Sequence, residues 1–449
     1  MLPNTLKPAL LLIVFLLFQP ARAAAIDMNV PCETPSVFAG APLNVVVLPY
    51  SQPASFGQTL TRAGEQLGGL VQLETVLAIA KFGGIGVTQL IGDTREGCTP
   101  DVVLNKLLGK QGGALETLRP GGALILIWGR IFESGQDLFL QSYVRFLRAG
   151  VTESIDIAVR DRTLTGTLST QAFACAPRKI ARRDLDDVQR QFASARLLHE
   201  RPDTGSPMVR MPEGPGPFAY WVTDVRGEWV QLQPMERRPG SNRQLTRGWL
   251  LARATEAQWS LRRQMPELFF VEGVAGYLAA RTQPNAAQVA TWLISSETAI
   301  NRYIEAWGAN AVLGGDAAAG GTPLAVAVPR QLRGFITLLR ARGSVASFAE
   351  ALPHFERAAT LVPYSSNARN LVTMTRMARA YRGPLTDQEP RQFIDDLRGL
   401  LGTDPDSASL LANLSVAYDL ALSPTVTMPG AERERLTRER DSLRTFQRR

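Results

Sequence analysis

The sequence predicts a multidomain α+β protein, and three observations carry that reading. A continuous β-branched run, LNVVVLPY, spans residues 43–50. Two tryptophan-centred triplets, Glu228-Trp229-Val230 and Gly248-Trp249-Leu250, punctuate a stretch of short strands. A helical pattern of four residues then recurs 42 positions later (Ala351, Phe355, Ala358, Pro363 against Phe393, Leu397, Leu400, Pro405). These mark a small N-terminal α/β domain, a central β module and a C-terminal all-α array. The boundaries fall at residues 24–200, 201–255 and 256–449, and a length of 449 residues suits two to four domains.

Residues 1–23 stand apart from the fold. Lys7 precedes an apolar run over 9–18, Pro20 breaks it, and Ala21-Arg22-Ala23 gives a small-x-small cleavage site. That is the pattern of a secretory signal peptide. The run falls short of the roughly 20 apolar residues a spanning helix needs, and no later stretch is long and apolar enough to span. The mature chain is therefore expected to be exported, without a transmembrane segment. The net charge is +8, yet only five lysines occur (Lys7, Lys81, Lys106, Lys110, Lys179), so arginine carries nearly all of it. With abundant Ala and Gly, that usage points to a GC-rich genome and the periplasm of a Gram-negative cell. Export argues against nucleic acid as a partner. Cys32, Cys98 and Cys175 are the disulfide candidates: one pair can bridge in an oxidising compartment, and spacing does not choose which.

In the first domain, 43–50 reads as a buried strand. Residues 56–70 have helical spacing, 85–91 a short strand, and 101–108 a helix opened by Thr99-Pro100. Residues 123–132 and 137–147, joined across Glu133-Ser134-Gly135-Gln136, form a hairpin signal. Further strands are expected over 154–159 and 164–174, and an amphipathic helix over 184–198. This β-α-β-α-β-β order resembles the small α/β domain at the N-terminus of TolB. The resemblance implies an interaction platform, not an enzyme.

Pro- and Gly-rich residues 201–217 read as a linker. Strands follow over 219–224, 228–233 and 248–251, with Arg226-Gly227 as a turn. The Trp triplets, with residues 208–212 as a leading strand, are similar to the bacterial SH3-like domain, whose fold is a small β-barrel. The family's short turn is replaced here by an Arg-rich loop over 236–247. The resemblance implies binding of cell-wall peptides or protein partners through aromatic surfaces. Trp229 and Trp249 are expected in the core. Tyr220 and Trp221 alternate faces, so one of them is available to a ligand.

From residue 256 the pattern is helical: 267–281, 286–307, an Ala/Gly-rich loop over 308–321, then 330–342. In 351–363, Ala351, Phe355 and Ala358 share one helical face and Pro363 ends the run. The small residues admit a neighbouring helix and the ring fills the gap. Leu411, Leu414, Ser415 and Tyr418 follow Pro405 at the spacing of a repeat's first helix. This resembles tetratricopeptide (TPR) repeats, though with a period of 42 where 34 is usual. Residues 431–448, with Leu436, Leu443 and Phe446 on one side, suit a capping helix. The resemblance implies a TPR-like helical array that binds peptide or protein segments along its first-helix face, here Arg369, Arg376, Asn413 and Tyr418.

The chain carries no G-x-S-x-G elbow, no phosphate-loop pattern and no Cys/His metal spacing. No catalytic residue, metal or cofactor is expected. The sequence therefore predicts a non-enzymatic periplasmic scaffold or adaptor with a protein or peptide partner in the envelope. A peptidoglycan-binding module acting through the SH3-like domain is the alternative.

Overall fold

The computed structural model describes residues 43–48, 50, 51, 63–82, 87–90, 102, 123–148, 154–159, 162–186, 197–210, 218–236, 247–251, 265–282, 284–311, 321–340, 344–383 and 386–447. Strand β1 (Leu43–Val47) is buried along its whole length. It lies between β2 (Val87–Leu90) and β3 (Ala123–Ser134), parallel to both. A parallel strand covered on both faces selects the unbroken β-branched run seen here. Helix α1 (Ala63–Ala80) packs against β1 and β2. The hairpin partner β4 (Asp137–Arg148) pairs with β3 over its full length, from Ala123↔Arg148 to Ser134↔Asp137. Gly135 makes that turn with φ 63°, a conformation that disfavours a side chain. The expected helix over 101–108 falls outside the described residues except at Val102.

Beyond β4 come β5 (Ser154–Val159) and β6 (Arg162–Thr167), which form a separate two-stranded sheet. The single strand expected over 164–174 is divided between β6 and β7 (Phe173–Ala174), and β7 returns to β4. Next are β8 (Arg178–Ile180), β9 (Leu197–His199) and β10 (Met208–Arg210). The helix expected over 184–198 does not extend to Leu197 and Leu198, because β9 pairs there with β10. Then follow β11 (Phe218–Arg226), β12 (Trp229–Glu236) and β13 (Gly248–Leu251).

The strands of 201–255 form where the Trp triplets placed them, but among the described residues they close no barrel. The order β10-β9-β13-β12-β11-β2-β1-β3-β4-β7 makes them the antiparallel continuation of the N-terminal mixed sheet, with β8 also on β4. The physical reason is edge use. One edge of β11 holds β12, and the other pairs Ala219↔Gln89 and Tyr220↔Thr88 on β2. A strand with both edges occupied has none left to close a small barrel. Trp249 is buried and Trp229 half-buried, with His199 edge-on to Trp229 at 5.1 Å.

The C-terminal part is an array of packed helices: α2 (Glu267–Thr282), α3 (Ala286–Ala311), α4 (Leu324–Arg340), α5 (Val345–Leu361), α6 (Ser366–Arg382), α7 (Glu389–Leu401), α8 (Ala408–Ala421) and α9 (Gly430–Gln447). Each packs on the next, and α6 also meets α8. Helix α3 runs on through Ala311, into the segment expected as a loop. Helix α5 starts where the Ser344 side chain accepts from the Ser347 amide, and it ends just before Pro363. Ser365 caps α6 in the same way. Ala351, Phe355 and Ala358 are fully buried, as are Leu397 and, nearly, Phe393 and Leu400. Pro363 and Pro405 lie exposed at the helix ends; Leu414 is buried and Leu411 half-buried. Helix α9 buries Leu436, half-buries Leu443 and leaves Phe446 exposed.

Residues Thr34–Arg449 form one compact unit. No described helix is long and apolar enough to cross a membrane. Residues 1–23, Cys32 and Cys98 lie outside the described residues, and Cys175 is a free, buried thiol.

Candidate functional site

The alternate helices α4, α6 and α8 present one face of the array to an extended piece of the same chain, residues 162–175. At α8, the fully buried Asn413 takes both backbone groups of Thr165: its Oδ1 accepts from the amide at 2.8 Å and its Nδ2 donates to the carbonyl at 2.7 Å. The same Nδ2 donates to Asn370 Oδ1 at 2.9 Å, and Asn370 on α6 donates to the Thr165 carbonyl at 3.3 Å. One turn earlier, Asn367 Nδ2 donates to the Thr167 carbonyl at 2.7 Å, and the Thr167 hydroxyl donates to Asn367 Oδ1. A carboxamide offers both a donor and an acceptor, so it can replace one rung of a β-ladder. Three of them serve the outer edge of β6, whose other edge is taken by β5.

The seat is also shaped. Leu164 is fully buried, and Gly166 lies against α6 so closely that an added Cβ would stand 2.4 Å from Leu371 Cδ2 and 2.9 Å from Met374 Sδ. Farther along, the Ser169 amide donates to Gln331 Oε1 on α4 at 3.1 Å. Ala174 then exchanges bonds with Thr322, its amide donating to Oγ1 at 3.2 Å and its carbonyl accepting from the Thr322 amide at 3.0 Å. Cys175 ends the run, Sγ 3.7 Å from the Tyr303 hydroxyl on α3. Charge fastens the other end: Arg162 Nε meets Asp419 of α8 at 3.0 Å, and Arg444 of α9 holds both oxygens of that carboxylate at 2.7 and 2.8 Å. Arg382 adds a bond to the Ala158 carbonyl at 3.2 Å.

Of the expected ligand-facing residues, only Asn413 is on this face. Tyr418 turns away: its hydroxyl accepts from Arg398 Nη2 at 2.7 Å and donates to Glu439. Arg376 pairs with Glu356 of α5 at 2.7 Å. Arg369 is exposed. The backbone at Tyr220 and Trp221 lies in β11, and their side chains lie outside what is described. Asn367, Asn370 and Gln331 are the contacts that sequence reasoning missed. One signal was present: the Asn-Leu pair of α6, Asn370-Leu371, recurs in α8 as Asn413-Leu414, 43 residues on.

A second polar cluster is wholly internal. Tyr50 and Ser142 share a hydrogen bond of 3.0 Å, and Ser142 donates to Glu267 at the start of α2. Burial drives the Glu267 carboxyl above its ordinary value, against the smaller opposing effect of the Ser142 bond. Burial likewise pushes the Cys175 thiol up, with the Glu267 charge adding to it, so the sulfur is a poor nucleophile. These groups join the main sheet to the first helix of the array. Among the described residues no group of three or more His, Cys, Asp or Glu side chains could hold a metal ion.

Compared with known proteins, the chain matches no family model, no curated protein and no solved structure.

Proposed function

We propose that the protein is an exported, non-enzymatic scaffold or adaptor of the cell envelope, and that its TPR-like array makes the contacts with protein partners. The observation that carries this reading is the paired grip of Asn413 on the Thr165 amide and carbonyl. A helix face that bonds an extended main chain in this way is chemically equipped to take protein segments. The recurrence of Ala351, Phe355, Ala358 and Pro363 as Phe393, Leu397, Leu400 and Pro405 supports the TPR likeness. The TolB-like likeness, with the strands of residues 201–255 as an extension of its sheet and not as a closed SH3-like barrel, belongs to the same proposal as the platform that carries the array. Wall binding through residues 201–255 stays as the alternative.

The test is affinity capture from envelope extract on the immobilised mature chain, alongside an Asn370→Ala/Asn413→Ala chain. An envelope protein retained by the first and lost from the second supports the adaptor. Retention of nothing specific sinks it. Pelleting with purified sacculi, lost on Trp221→Ala, would favour wall binding instead.

A further inference from the structure

We propose that residues 162–170 are a built-in ligand of the array, and that the array's external ligand is a partner strand of the same chemistry which must displace them. This rests on the adaptor reading above and names both the partner's chemistry and the control on the site. Three features of the seat define the strand. It is extended, because Asn413, Asn370 and Asn367 bond successive outward-facing backbone groups at Thr165 and Thr167. It carries glycine at the centre, because Leu371 and Met374, both fully buried, fill the space a side chain at Gly166 would need. It carries an apolar residue two positions earlier, where Leu164 is fully buried. The carboxamides read mainly main chain, and of the flanking side chains only the Thr167 hydroxyl meets one of them, donating to Asn367 Oδ1.

The hairpin is suited to be the occupant that leaves. Among the described residues, strands β5 and β6 pair only with each other and form no part of the main sheet. Apart from the buried Leu164 and Gly166 and, just past its end, Leu168, β6 is held by the carboxamides of Asn367, Asn370 and Asn413, which take its backbone and the Thr167 hydroxyl, and by the Arg162–Asp419 ion pair, which salt screens. An isolated two-stranded hairpin is marginal by itself, so its order depends on the array. A tethered ligand is present at an effective concentration on the order of mM. The wild-type chain therefore suppresses binding of any free strand, and a partner gains access only by matching the seat or by drawing the hairpin away.

The experiment uses a fluorescein-labelled peptide with the sequence of residues 162–170 and the full mature chain. Anisotropy is read for the wild-type chain and for Gly166→Glu, which puts bulk and charge against Leu371 and Met374 and unseats the hairpin. The expected result is binding at least tenfold tighter to Gly166→Glu than to wild type, and none for a peptide carrying Glu at the glycine position. Equal binding to both chains, or none to a Gly166→Glu chain with wild-type circular dichroism, overturns the proposal. Should that variant not fold, hydrogen exchange on the wild-type chain decides. Exchange of the Thr165 amide at least tenfold faster than the β3 and β4 amides supports a releasable hairpin, and exchange at the rate of global unfolding overturns it. The two readings fail separately. Peptide binding as expected, with no envelope protein retained by either chain, keeps the built-in ligand and removes the adaptor. An envelope protein retained equally by wild type and Gly166→Glu, with no peptide binding, does the reverse.

Discussion

Asn413 bonds both the amide and the carbonyl of Thr165, a residue 248 positions earlier in the chain. That contact ties a side chain of the helical array to the backbone of the β region. Residues 162–175 thereby occupy the face that α4, α6 and α8 present.

Replacing Asn413 tests how much that contact stabilises the fold. Asn413→Ala removes two bonds to Thr165 and one to Asn370, and it leaves buried groups without partners. The expected loss is about 2–4 kcal/mol, because an orphaned buried polar group costs more than the net worth of its bond. Urea unfolding measures it. Asn413→Asp keeps the acceptor for the Thr165 amide but removes the donor and buries a charge. Its deficit should therefore shrink as pH falls and the carboxyl is neutralised. A stability unchanged from wild type in both variants would mean the clamp contributes nothing.

The parts legible in the sequence are those set by local period. The buried run at β1, the β3–β4 hairpin and the helices from Glu267 onward follow from β-branching, alternation and 3.6-residue spacing. The junctions were not legible, because each depends on a partner far away in the chain. Strand β11 finds β2 about 130 residues earlier, and that pairing leaves no edge for the barrel the Trp triplets suggested. The grouping of Asn413 with Tyr418 failed for a geometric reason. Five residues turn a helix by about 140°, so the two side chains face opposite ways. Asn367 and Asn370 carry no signal of local period, because a polar residue on an amphipathic helix reads as solvent-facing until its partner is known.

Phe355 is the bulky residue between the two small ones of α5. Its ring lies 5.6 Å from that of Phe335 and against Gly334, where an added Cβ would meet it at 2.5 Å. Phe355→Ala should cost about 3–5 kcal/mol in urea unfolding, as for other buried aromatics reduced to alanine. Gly334→Leu should also destabilise, by overpacking the same contact. The pair together should recover part of the loss, since the added side chain enters the space the ring vacates. Simple additivity of the two losses would show that the residues do not share this contact.

Glu267 makes stability fall as pH rises. Its folded carboxyl titrates above the ordinary value of 4.5, chiefly through burial. A raised folded value means that the folded chain holds the proton more tightly than the unfolded one. The contribution is therefore full below about pH 4.5 and is lost as pH climbs through the folded value. Glu267→Gln keeps an oxygen to accept from Ser142 and cannot ionise. The variant should match wild type near pH 4 and exceed it at pH 7, by chemical denaturation at each pH. A variant less stable than wild type at pH 7 would show that the ionised carboxylate is favourable in place.

His354 acts in the opposite sense. It sits on α5 with Nδ1 buried and unpartnered among the described residues. Burial first, then the cations of Arg333 and Arg330 on α4, lower its value from 6.5 to about 4, while Glu350 opposes them weakly. The folded chain thus resists protonation that the unfolded chain accepts. Stability from this residue is full above pH 6.5, falls between 6.5 and about 4, and changes no further below that. The ring is partly exposed, so solvent screening holds the effect to about 1–2 kcal/mol. His354→Gln should flatten the loss between pH 6.5 and 4 while leaving in place the Glu267 contribution, which declines as pH rises. Combined with Glu267→Gln, it should remove most of the pH dependence in that window that these two residues create. If the single His354→Gln variant keeps the wild-type slope there, burial and the two arginines do not hold this ring's protonation down in the folded chain.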